Sequence, residues 1–410
     1  MRAATFSTAL RSRIIAIFVV VASLCVAAAA QNRSPVDKQS AATAPISVAN
    51  FAKMIQDFSE EDGEFFSENF VSNETSYLHV VDKLKQLGVS GGAYLGVGPE
   101  QNFTYIAKTR PQIAFIVDIR RQAMIQQLMY KAIFQLSSNR AQFLSELLNK
   151  PLRGKAAPGR DATIEELVAY FAQEPVSGDS FEQNLATIRQ TIEKDFQFPL
   201  SPKDQQMLEH VYTAFQQANL QISFRFGGGY GGGWGGGFPT LSDLLLATDL
   251  NGNEGNFLAT AADYDFVREL QRKNRIIPVV GDFAGSKALA AVADYLRKNG
   301  YTVSAFYTSN VEQFLFGDRV FGAFTENVRK LPINDRSVFI RAARIGWQGH
   351  PAHVAGHRMT TMLEKISVFL KDCDEGLYPD YGSLLTTHFI AGNGQDGQPA
   401  PETLQSPSIH

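Results

Sequence analysis

"AYLGVGPEQNFTYIAKTRPQIAFIVDIRR", residues Ala93–Arg121, is the stretch on which the fold turns. Ala93 to Val97 make a short apolar run, as a strand buried on both faces does. Gly96 and Gly98 permit a tight turn and let a ligand approach the backbone. Pro99 suits the first position of a helix, and Glu100 falls in the first turn, where the helix dipole favours a carboxylate. Phe103, Ile106 and Ala107 supply an inner helical face, and Pro111 ends it. "IAFIVD" predicts a second buried strand with Asp118 at its carboxyl end, 22 positions after Gly96. A Rossmann-type unit places an acid at that spacing to bind ribose hydroxyls.

A second segment repeats the pattern. "RIIPVVGDF", Arg275 to Phe283, is an apolar strand ending in Gly281 and Asp282. "KALAAVADYLRKNG" follows as an amphipathic helix closed by Lys298 and Gly300, and "YTVSAFY", Tyr301 to Tyr307, as a further strand. Strand, helix and strand joined by short loops predict an α/β protein with a Rossmann-like, doubly wound, mostly parallel sheet. "GDFAGSK" falls one residue short of a phosphate-binding G-x-x-x-x-G-K loop.

The ligand chemistry follows from the first turn. A dinucleotide fingerprint beginning at Gly96 needs a third glycine where Gln101 stands, and Glu100 brings negative charge to the helix start that would hold a pyrophosphate. S-adenosylmethionine carries no phosphate and has a cationic centre, so it tolerates a carboxylate there. The stretch resembles motif I of the class I S-adenosylmethionine-dependent methyltransferases, with Glu100 and Tyr94 departing from that family's usual glycine and leading acid. The resemblance implies that Gly96, Gly98, Glu100 and Asp118 line the cofactor site and that Asp282 reaches the adenine; Asp282 as a plain helix cap is the alternative. Tyr307 and Asn310 are candidates because ligands bind at the carboxyl ends of such strands. No N-P-P-Y type motif follows the fourth strand, and Ser309 with Glu312 reads as a capping box. Together "YLGVGPEQNFTYIA", "IVDIRRQ", "PVVGDFAG" and "FYTSNVEQFLF" also resemble an uncharacterised bacterial family of unknown function, over roughly residues 51–345.

Around this core the chain divides. Residues 47–137 are expected to form the first part of the Rossmann-like domain, 138–273 a helical insertion, and 274–390 the second part of the domain with a C-terminal segment. Within the insertion, "DATIEELVAYFA", "SFEQNLATIRQTIEKDF" and "SPKDQQMLEHVYTAFQQA" have apolar faces at helical spacing. Its glycine-rich loop, 227–237, reads as a flexible linker. His350, His353 and His357 lie within eight residues and suggest a transition-metal site as a competing chemistry, although no carboxylate joins them. Nucleophilic catalysis has little support: there is no G-x-S-x-G elbow, and acids flank Cys373.

The ends and the composition limit the setting. Arg2, Arg11 and Arg13 precede the apolar run Ile14 to Val26, and small residues continue to Ala30, which predicts a secretory signal, residues 1–30, cleaved after Ala30. Export to a periplasm or the outside follows, with no membrane span left after cleavage, because the run is shorter than the roughly 20 residues a span needs. Residues 31–46 read as a flexible leader and 391–410 as a disordered tail. A net charge of −3 carries no nucleic-acid footprint. The expectation is a small-molecule ligand, as a methyltransferase binding S-adenosylmethionine or as a binding protein that keeps the fold without the chemistry.

Overall fold

The apolar run Ala93–Gly96 becomes β1, buried along its whole length, and Ile113–Asp118 becomes β2 beside it in parallel register. Between them helix α2 covers Gln101–Thr109, after α1 at Val48–Phe58. Arg110 ends α2 in the left-handed region at φ 49°, just before Pro111. These elements belong to a computed structural model that describes residues 44–154, 157–176, 180–224, 238–344 and 349–397. The predicted signal segment, nearly all of the predicted leader, the glycine-rich loop and the end of the predicted tail lie outside the described residues.

After β2 the chain is mainly helical up to residue 273. The helices are α3 Arg121–Leu136, α4 Arg140–Leu148, α5 Ile164–Gln173, α6 Phe181–Gln190, α7 Pro202–Ala218 and α8 Ala261–Arg272. Two of them open on capping boxes, Thr163 with Glu166 and Ser201 with Asp204. Strand β3, Ile276–Val280, then pairs with β2, and α9, Ala288–Asn299, leads to β4, Val303–Ser309, on the far side of β1. Helices α10 Val311–Gly317 and α11 Phe321–Arg329 precede β5, Val338–Ala343. Strand β6, Thr360–Lys365, and the short β7, Ile390–Ala391, complete the sheet, with α12, Ile366–Asp374, between them in sequence.

The sheet order is β3-β2-β1-β4-β5-β6-β7. Strands β1 to β5 are parallel, β6 runs antiparallel to β5, and β7 antiparallel to β6. This is a Rossmann-like, mostly parallel sheet. The order reverses between β1 and β4, so a crevice opens where their carboxyl ends diverge.

Two local expectations are corrected. Helix α2 begins at Gln101, with Glu100 as its cap residue and Pro99 still in the turn. Asn102 is the cause: its Nδ2 donates to the carbonyls of Val97, Gly98 and Pro99 and holds them in a loop. Ser309 and Glu312 form no capping box. The Ser309 hydroxyl donates to Glu74, and Glu312 turns inward to Arg341, so tertiary partners win over the local cap.

Candidate functional site

A cavity of about 600 Å³ occupies that crevice. It is walled by the turns after β1, β2, β3 and β4, by residues 64–74 and by the base of the β5–β6 pair.

Gly98 and Gly96 have different tasks. Gly98, at φ 81°, lines the cavity, and a side chain there would meet open space. Its backbone is therefore presented to whatever enters. Gly96 faces inward: a Cβ would lie 1.9 Å from Asn102 Oδ1 and 2.8 Å from the Tyr94 ring. It serves the packing of the turn and is not on the cavity wall.

Asp118 lines the cavity but is not a free acid. Arg120 grips it with two side-chain bonds, Nε to Oδ1 at 3.0 Å and Nη2 to Oδ2 at 2.8 Å, and adds its backbone N–H to Oδ1. Among the described residues Oδ2 has that one donor, and it retains acceptor capacity toward a ligand hydroxyl. Asp282 also lines the cavity, and its Oδ1 accepts from the Ala284 N–H, closing the turn. The start of α9 is capped by Glu60 instead, which accepts from the N–H groups of Asp282, Lys287 and Ala288. An internal carboxylate thus fills the place that a phosphate would take in "GDFAGSK".

The inner wall holds a group that the sequence reading missed. Glu74 is 1% exposed and lines the cavity. Its Oε1 accepts from Tyr307 Oη at 2.8 Å and Ser309 Oγ at 2.5 Å, and its Oε2 from Gln101 Nε2 at 2.9 Å. Burial pushes its pKa up, against the pull of these three bonds. Ser309 is held at φ 53° at the end of β4, and Asn310 lines the cavity beside it. Glu100 lies behind this wall. One of its oxygens accepts from the Ser72 N–H at 3.2 Å, and the other is buried without a partner among the described residues. Burial raises its pKa to about 7, and the neighbouring Glu74 adds to the effect. Among the described residues no Lys, Arg or His forms an ion pair with either acid. Glu74 sits in "VSNETSY", which has no periodicity and no motif, so only the path of the chain brings it to β4.

The histidines stand apart from the cavity. His350 Nε2 lies 3.0 Å from the Leu385 carbonyl, His353 Nδ1 2.9 Å from Thr360 Oγ1, and His357 Nδ1 2.8 Å from Thr75 Oγ1. The ring of His79 meets that of His357 edge-on at 4.4 Å, and burial followed by the charge of His357 lowers its pKa to about 4. Among the described residues no group of three His, Cys, Asp or Glu side chains is placed to hold a metal ion. Cys373 is half-buried and its thiol is pushed up to about 11, chiefly by burial, which leaves it a poor nucleophile. Among the described residues no helix is long and apolar enough to cross a membrane.

Sheet order and crevice define an α/β protein of the Rossmann-like class, with a cavity at the topological switch point. Within that class the chain belongs to the family described as "Domain of unknown function (DUF7790)", whose model matches residues 69–376. The matched span includes Glu74, the glycine turn, Asp118, Asp282 and the end of β4. No curated protein matches the chain.

Proposed function

We propose that the cavity binds a small organic ligand that carries a positive charge and no pyrophosphate, with S-adenosylmethionine as the leading candidate. One observation supports this above the others: Glu74 and Glu100 are buried together at the switch point without a cationic partner among the described residues. A buried charge is normally paired, or it takes a proton and becomes neutral. A ligand cation against Glu74 satisfies that requirement, whereas a pyrophosphate would add repulsion. The Gly98 backbone, the spare acceptor of Asp118 and Asp282 would hold the ligand's polar groups. S-adenosylmethionine would supply an electrophilic methyl group there, and the contribution of this chain would be alignment of an acceptor against it. A second reading, binding without methyl transfer, is favoured by the Arg120 clamp, which occupies most of the carboxylate expected to bind ribose. The export proposed from residues 1–30 points the same way, because S-adenosylmethionine is made in the cytoplasm.

Calorimetric titration of the purified protein with S-adenosylmethionine, S-adenosylhomocysteine and NAD tests the proposal. The sulfonium ligand should bind more tightly than its neutral homologue, and NAD not at all. Glu74→Gln should remove the advantage of the sulfonium, expected at roughly tenfold, the equivalent of about 1.4 kcal/mol. Affinity for it should rise as pH increases through about 7, where Glu100 ionises. Equal affinity for both adenosyl ligands, or tighter binding of NAD, would sink the reading.

A further inference from the structure

Two arginines also line this cavity. Arg344 directly follows β5, and Arg358 lies two residues before β6. Ala343 pairs with Thr360 across these antiparallel strands, so the base of the pair delivers both side chains to one wall. The Arg358 guanidinium lies over the Phe238 ring, 4.2 Å from its centroid, which orients its plane. Burial and the neighbouring charge of Arg344 both disfavour the charged form of Arg358. Both guanidinium groups line the cavity and their charges act on one another, and an oxyanion between two guanidinium groups is held by charge-assisted, fork-shaped hydrogen bonds.

We infer that Arg344 and Arg358 form a subsite for an oxyanion of the ligand, so that the cavity takes a molecule positive at its Glu74 end and negative at its arginine end. This deepens the function proposed above and rests on it for the positive end only. An amino-acid-like moiety has that pattern, and a phosphoryl group on an amine has it as well. Carboxylate and phosphoryl share the oxyanion chemistry that the arginines read.

The test is thermal unfolding of the full protein in sodium acetate, sodium phosphate and sodium chloride at equal ionic strength. Acetate or phosphate should raise the melting temperature saturably above chloride. Arg344→Gln with Arg358→Gln should weaken that effect at least tenfold, and Glu74→Gln should leave it in place. A larger effect of acetate marks a carboxylate ligand, and a larger effect of phosphate a phosphoryl one. The same shift in wild type and double variant, or no shift beyond chloride, would overturn the subsite. Arg358→Lys guards against a folding defect: it keeps the charge and loses the planar fork, so it should retain stability in chloride and part of the anion effect. If S-adenosylmethionine fails to bind while the anion effect persists, only the identity of the positive end is lost.

Discussion

Lys131 shows how much one residue can hide from its sequence neighbourhood. It sits within α3, where "MYKAIF" gives it the look of an ordinary helix-surface lysine. In the fold it is 3% exposed, its Nζ donates to the Gln271 carbonyl, and the rings of Phe51 and Phe196 lie 4.7 Å and 4.6 Å away. Burial lowers its pKa from the ordinary lysine range to about 7. Between pH 7 and about 10 the unfolded chain therefore holds a proton that the folded chain has shed, and stability rises with pH across that window. Below pH 7 the fold carries the cost of a buried ammonium. Lys131→Met should raise stability at pH 7 and flatten the rise by about 1 kcal/mol per pH unit. Urea unfolding of both proteins at pH 7, 8 and 9 measures this, and parallel slopes would mean that the lysine titrates normally. Glu74 was hidden too, in an aperiodic segment instead of a helix: in both cases the burial of a polar residue is decided by distant chain, for Glu74 by β4.

At the scale of elements, the turn between β1 and α2 was legible as a glycine turn, but the division of labour within it was not. Period and spacing revealed the strand, the helix and the acid of β2, because each is a local property of a few residues. Which glycine meets ligand depends on Asn102, whose amide ties three turn carbonyls and whose Oδ1 accepts from the Tyr94 hydroxyl at 2.9 Å. Nothing in the spacing of the glycines announces that clasp. The Arg120 clamp on Asp118 was equally silent, although "DIRR" places the arginine two residues on. Gly96→Ala should destabilise by about 2 to 4 kcal/mol, because its methyl group collides with Asn102 inside a filled site. Gly98→Ala should cost only about 1 to 2 kcal/mol of left-handed backbone strain. Chemical denaturation of the two variants gives the comparison. If Gly98→Ala proves the more damaging, the open face of that glycine is not what it looks like.

At the scale of the whole molecule, the half of the sheet that carries Arg344 and Arg358 is tied to the rest through Arg341, which is 2% exposed on β5. Its Nε lies 2.9 Å from Glu312 of α10, and its Nη1 is bonded to Glu364 of β6. Thr308 of β4 donates to the same Glu312 oxygen at 2.8 Å. The Tyr378 hydroxyl reaches Glu364 at 2.6 Å and Asp372 of α12 at 2.7 Å, and His388 Nδ1 is 2.5 Å from Asp372. One guanidinium thus holds two buried carboxylates directly, and a third joins through the tyrosine. Removing one partner from such a group is costly because charge is left behind without compensation. Arg341→Met should lower stability by about 3 to 5 kcal/mol at pH 8. The loss should shrink as pH falls, because burial already raises the pKa of Glu364 to about 6, and the orphaned acids become neutral when they take up protons. Adding Glu312→Gln and Glu364→Gln to the variant should return much of the loss at pH 8, since neutral amides leave no orphaned charge. Urea unfolding at pH 8 and pH 5 measures all three proteins. A loss below about 1 kcal/mol at both values would mean that the carboxyls are neutral in the native fold, and that packing of the arginine on Phe339 and Phe369, 4.6 Å and 5.4 Å from their ring centroids, carries the contact.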